Sequence, residues 1–169
     1  MRVGRDAQRG VGLVEILIAV VLVSIGFLAA ARMQVQGMRF SQSAYFQSQA
    51  YFLAGDMIDR MRANARGVDD SAYDAVDTDE AVADPGCDTS TLCSPAQQAQ
   101  QDIFDWRAHF VPGGSGSAVL LPSAGDTSAK GTVIARGGGR YEVKVTWSEV
   151  IDGESTAQSL SMFFVTETI

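Results

Sequence analysis

Hydrophobic and polar positions divide this 169-residue chain into stretches of different period. Val11 to Ala31 is apolar on all sides, and Glu15 is its only ionisable residue. As a helix rising about 1.5 Å per residue it would be about 31 Å long, matching a bilayer hydrocarbon core of about 30 Å. From Arg32 to Arg66 polar residues return, and no proline interrupts. There Phe46, Ala50, Leu53, Met57 and Met61 recur at three- and four-residue spacing, with Ala54 and Ile58 widening the stripe, which predicts an amphipathic helix packed on a small domain. Asp56 before Arg60 and Asp59 before Arg62 add helix-compatible ion pairs, and Gly67 offers a C-terminal stop. Arg32 to Ala44 is poorer in apolar residues and reads as the link between membrane and domain. Joined together, Val11 to Arg66 forms one long helix. Gly26 and Gly37, each costing about 1 kcal/mol relative to Ala, mark where it is expected to bend or loosen.

The pattern then changes. Val68 to Asp84 carries Asp69, Asp70, Asp74, Asp77, Asp79, Glu80 and Asp84 with no basic residue, and reads as a solvated acidic loop. Its spacing fits no EF-hand, so a calcium site is not expected. Ser94, Pro95 and Gln97 form a helix start with a capping box, after which Ala96, Ala99, Ile103, Trp106 and Phe110 define one apolar face up to Pro112-Gly113-Gly114. The last third turns to period two. Ala118 to Leu121 and Thr132 to Arg136 are short strand candidates around the Ser123 to Gly131 linker. Tyr141, Val143, Val145 and Trp147 alternate with Glu142, Lys144 and Thr146 in the strongest strand. Ser159 to Thr166 pairs with it through a loop at Asp152-Gly153, and Gly137-Gly138-Gly139 reads as a turn. The predicted fold class is α+β: a long N-terminal helix, half transmembrane and half amphipathic, packed on a small antiparallel sheet. Residues 1–10 are a leader, 11–31 a transmembrane and assembly helix, 32–66 its amphipathic continuation and 67–169 a globular domain.

Charge refines this picture. The formal net charge of −7 excludes a general phosphate-neutralising nucleic-acid binder. Arg2, Arg5 and Arg9 precede the apolar run with only Asp6 against them, so the N-terminus is expected to stay cytoplasmic. Removing residues 1–10 leaves 10 basic against 19 acidic groups, a formal −9. A bare carboxylate in hydrocarbon costs roughly 2.5–3.5 kcal/mol at a helix centre, so Glu15 calls for a partner or a function. Cleavage after Gly10 would create one, the free amine of Val11. Three readings of the segment compete: a secretory signal peptide cut near Ala29-Ala30-Ala31, a plain anchor, and an anchor processed at Gly10. Glu15, and a helical pattern continuing past Ala31, favour an anchor that is kept.

Cys87 and Cys93 are the only cysteines. In an oxidising compartment they would close a small disulfide loop, and otherwise they remain two thiols. His109 is the sole histidine, so no metal cluster is expected. No nucleophile–base pair and no cofactor loop emerges, and neither an enzyme nor a cofactor is expected.

Gly10, Val11 and Glu15 with the following apolar helix resemble the signature of type IV prepilins. Ser43-Ala44-Tyr45, Asp59-Arg60-Met61-Arg62-Ala63-Asn64, Cys93-Ser94-Pro95-Ala96-Gln97, Asp105-Trp106-Arg107, Pro112-Gly113-Gly114-Ser115-Gly116 and the Tyr141 to Trp147 strand are similar, more narrowly, to PilV-type minor pilins, the type IV pilus modification proteins. Val11 stands where prepilins commonly have Phe, and Gly12 where Ser or Thr is frequent. The resemblance implies cleavage after Gly10 by prepilin peptidase, N-methylation of Val11, and use of Glu15 to set register in a fibre. It implies a subunit held in the inner membrane with a periplasmic domain, then carried to the pilus surface. Its partners would be the peptidase, other minor pilins, the major pilin and the inner-membrane assembly platform. The implied role is priming pilus assembly in support of adhesion and twitching motility. A minor pseudopilin of a type II secretion system and a ligand-binding pilin for adhesion or DNA uptake are the alternatives.

Overall fold

Apolar residues that can be covered by the rest of the chain, and apolar residues that cannot, occupy successive parts of one helix. The computed structural model describes residues 12–87, 92–111, 119–123, 128–151 and 153–166. Gly10 and Val11 lie outside them. Helix α1 (Leu13–Ala63) runs 51 residues, continuous through Gly26 and Gly37. The chain divides into two compact units, residues 1–42 and 43–169, with the division inside α1.

In the first unit every described residue from Gly12 to Gln42 is exposed. In the second, α1 buries Ala50, Leu53, Ala54, Met57, Ile58 and Met61, the face expected from their spacing. Phe46 packs at the margin of that core. The helix stops earlier than the apolar pattern indicates. It ends at Ala63 instead of Arg66, because Asn64 leaves helical geometry and caps a second short helix, α2 (Ala65–Asp69). The Asn64 carboxamide oxygen accepts from the Gly67 amide at 3.2 Å. Asn competes for backbone groups in this way, which suits it to breaks. Gly67 is therefore not the stop. It lies within α2, where a Cβ would overlap the Asn64 side chain.

The acidic stretch is more structured than its composition predicts. It contains strand β1 (Ala75–Asp77), and Tyr73, Val76 and Thr78 within it are buried. Helix α3 (Pro95–Arg107) begins with the expected capping box, Ser94 and Gln97 each bonding the other's backbone. Ala99, Trp106 and Phe110 are buried as the spacing requires, whereas Ala96 is exposed. Strands β2 (Lys130–Gly137), β3 (Arg140–Ile151) and β4 (Glu154–Val165) complete a four-stranded antiparallel sheet in the order β1-β2-β3-β4. Gly137 pairs with Arg140, and Gly138 and Gly139 between them have φ of 61° and 68°. A two-residue hairpin of this hand needs positive φ at both central positions, which glycine supplies without strain.

Val119 to Leu121, expected to be part of a strand, is not one. Leu121 instead plugs the core from an irregular segment beside Pro122, whose carbonyl accepts from the Ser148 amide at 3.1 Å. The core lies between the inner sheet face (Val133, Tyr141, Val143, Val145, Trp147, Phe164) and the buried faces of α1 and α3. Trp106 is its centre. Its indole nitrogen donates to the Leu53 carbonyl at 2.8 Å. At Gly131 a Cβ would overlap the Trp106 ring, so glycine is what lets β2 approach α3 so closely.

Candidate functional site: an uncovered helix start and a buried clasp

Two groups of chemistry-bearing residues stand out, one in each unit. The first is the start of α1. Glu15 lies in the first turn, and its amide donates to the Gly12 carbonyl at 3.0 Å. A carboxylate there faces the positive end of the helix dipole, typically worth 0.3–1 kcal/mol. From Ile16 to Ala31 no charged side chain follows. Among the described residues Glu15 has no cationic partner. The single hydroxyl in the run is satisfied internally, Ser24 Oγ donating to the Val20 carbonyl at 2.7 Å. Backbone and hydroxyl groups are thus internally bonded, as a span through lipid requires. Leu13, Phe27 and Leu28 are each more than 70% exposed, and α1 is long and apolar enough to cross a membrane. Glu15 is the one charge within this apolar run.

The second group is a partly buried polar clasp, of which sequence reasoning found only the Asp56–Arg60 pair. Arg60 pairs with Asp56 at 2.9 Å and lies 3.6 Å from both Asp102 and Asp105. Asp102, itself buried, accepts from the Tyr73 hydroxyl at 2.5 Å and from Gln98 at 3.1 Å. Asn64 donates to the Tyr73 hydroxyl at 3.0 Å and to the Pro95 carbonyl at 2.8 Å. The clasp joins α1, the α1–α2 break, the acidic stretch and α3. Burial raises the Tyr73 phenol, and its bond to Asp102 raises it further. Burial opposes the charge of Arg60, but the bond to Asp56 and the three surrounding carboxylates outweigh it, so the guanidinium is held more firmly protonated. One signal was present in the sequence. Asp102 sits three residues after Ala99 and four before Trp106, on the apolar face itself.

The acidic stretch contributes further ties in place of a free loop. Asp77 and Asp79 each lie 3.2 Å from the Lys130 ammonium and raise its pKa by hydrogen bonding. Asp74 accepts from the Tyr141 hydroxyl at 2.7 Å, and burial together with this carboxylate pushes that phenol up to about 12. Among the described residues no cluster of His, Cys, Asp and Glu could hold a metal ion.

Cys87 and Cys93 are joined in a disulfide. The Cys87 amide donates to Gln101 of α3 at 3.1 Å, which moors the loop to that helix. His109 is half-buried after α3, its amide donating to the Trp106 carbonyl.

Residues 32–104 match the family model described as Type IV pilin Tt1218, and residues 5–31 match the prokaryotic N-terminal methylation motif. The two matches abut at Arg32. No curated protein and no solved structure matches the chain.

Proposed function

We propose that the chain is a type IV pilin, a reading that these two matches support, and within that family a minor pilin that helps prime pilus assembly. Prepilin peptidase cuts after Gly10 and N-methylates Val11. The mature subunit waits in the inner membrane, held by residues 11–31, with its domain in the periplasm. It then enters the fibre beside other minor pilins and the major pilin, drawn from the inner-membrane assembly platform. The fibre in turn supports adhesion and twitching motility.

The observation that carries this reading is Glu15, a carboxylate without a cationic partner among the described residues, at the head of an uncovered apolar helix. In a bundle of such helices the methylated amine of a neighbour, still cationic, neutralises it and sets the axial register. Two opposite charges withdrawn from water are tolerated only when they meet. The structured domain supports the reading by standing on its own core, independent of residues 12–42.

The test is Glu15→Ala in the native host. The domain keeps its melting temperature and disulfide, since the substituted position lies outside its core, while the amount of subunit in sheared fibres falls at least about tenfold, the factor equivalent to about 1.4 kcal/mol. Wild-type incorporation of that variant would remove Glu15 from the mechanism.

A further inference from the structure

The two edges of the sheet are built differently. β1 is three residues long and tied at both ends: the Asp74 carbonyl accepts from the Ala135 amide at 2.9 Å, and the Thr78 amide donates to the Gly131 carbonyl at 3.0 Å. Asp77 and Asp79 gather Lys130 beside it. Short, charged edges resist pairing with other chains. β4 has none of these features. It is twelve residues long, no described strand lies beyond it, and Ser155 to Val165 contains no charge, proline or glycine.

Register fixes which backbone groups of β4 face outward. The Thr166 amide donates to the Gly139 carbonyl at 2.8 Å, toward β3, and pairing is regular from Arg140 with Val165 to Ile151 with Glu154. In an antiparallel ladder, residues alternate between bonding one neighbour and the other. Ala157, Ser159, Ser161, Phe163 and Val165 therefore turn their N–H and C=O groups away from β3. The side chains of these same residues lie on the outer sheet face, where Phe163 is 67% exposed and Val165 57%. On the outer face β3 sets Arg140, Glu142 and Lys144 opposite Val165, Phe163 and Ser161, and of these Glu142 binds Arg136 and accepts from Ser161 at 2.9 Å.

We propose that this outer row of β4 receives an extended, uncharged segment of another pilus subunit, which adds a fifth strand to the sheet. A row of alternating donors and acceptors is matched only by extended backbone, with affinity from the ladder and selectivity from alternate side chains. Charge decides against a second copy of this chain. Two copies of the mature chain would bring together two formal net charges of −9, with nothing charged along β4 between Ser155 and Val165 to offset them. The inference rests on the reading of the chain as a pilus subunit that works among others.

The experiment places a photocrosslinking amino acid at Ala157 of the full-length chain in its native host and identifies the joined peptides by mass spectrometry. The expected adduct is with an uncharged segment of a different pilus subunit. Ser161→Pro removes an outward N–H and no backbone ladder bond to β3, only the exposed hydroxyl bond to Glu142, so the adduct falls roughly tenfold while the melting temperature holds. Leu160→Pro, which removes an inward bond, lowers the melting temperature. Phe163→Lys places a charge on the row and gives the same loss of adduct if Ser161→Pro fails to fold. An adduct with a second copy, no protein adduct, or an adduct indifferent to both substitutions overturns the proposal. Failure of the pilin reading is separate: the wild-type chain would then be missing from sheared fibres, whereas a chain present in fibres without a β4 adduct defeats only this inference.

Discussion

From Leu13 to Gln42 every residue of α1 is exposed, whereas from Ala50 to Met61 the same helix buries six side chains. The two stretches use similar residues. Leu22 is 64% exposed and Leu53 is 3% exposed, although both are leucines on one helix. The difference lies in what the chain supplies as cover. The second stretch meets a sheet and α3, which remove its stripe from water at about 25 cal/mol per Å² of apolar area. From Leu13 to Ala31 the first stretch is apolar on every side but for Glu15 and Ser24, and no one-sided domain could satisfy it. A continuous apolar surface of that extent marks a membrane or a partner. The polar residues divide the same way. Several charges in the domain are gathered into pairs and a clasp, while Glu15 has no cationic partner among the described residues.

The largest effect that would sharpen this contrast is expected from Trp106→Ala. The ring is fully buried and bonded to the Leu53 carbonyl, so its loss costs about 3–5 kcal/mol, read as a fall in the melting temperature of the domain. Leu22→Ala, by contrast, leaves that melting temperature within the scatter of surface changes, about 0.5 kcal/mol. Equal losses from the two substitutions would show that the units depend on each other. Asp102→Ala comes next. It leaves the Tyr73 hydroxyl and part of Arg60 without an acceptor, costing about 1–3 kcal/mol in denaturant unfolding. Asp102→Asn, which keeps an acceptor, recovers part of the loss.

The smallest effect is alkaline. Tyr73 and Tyr141 have folded pKa values raised above the ordinary value of about 10, so between pH 10 and about 12 the native state holds protons that the unfolded chain releases. Stability conferred by these phenols is therefore complete below pH 10 and declines as pH rises through that window. Tyr141→Phe should flatten part of the decline in melting temperature measured from pH 9 to 12. An unchanged slope in Tyr141→Phe and Tyr73→Phe alike would remove these hydroxyls from the domain's energetics.

Much of this architecture could be read from periodicity, because periodicity reports burial. The α1 stripe, the alternation in β3 and the capping box of Ser94 and Gln97 each have a local cause visible within a few residues. What escaped is non-local. The acidic stretch looks solvated because the cation it meets, Lys130, is 53 residues away in sequence from Asp77. Asn64 breaks the helix through partners at Tyr73 and Pro95 that the helix pattern does not announce. The Val119 to Leu121 segment has strand-like residues but is held as a plug beside Pro122. At the candidate site, the isolation of Glu15 was legible from composition alone, while the clasp around Asp102 required the fold.

The central claim is that the uncovered half of α1 is retained and begins with a processed terminus able to meet Glu15. Intact mass of the protein purified from pili tests it most directly. The predicted species starts at Val11, carries one added methyl group, and has lost two hydrogens at Cys87 and Cys93. A species that begins at Met1, or at Arg32 after removal of the whole apolar run, would contradict it.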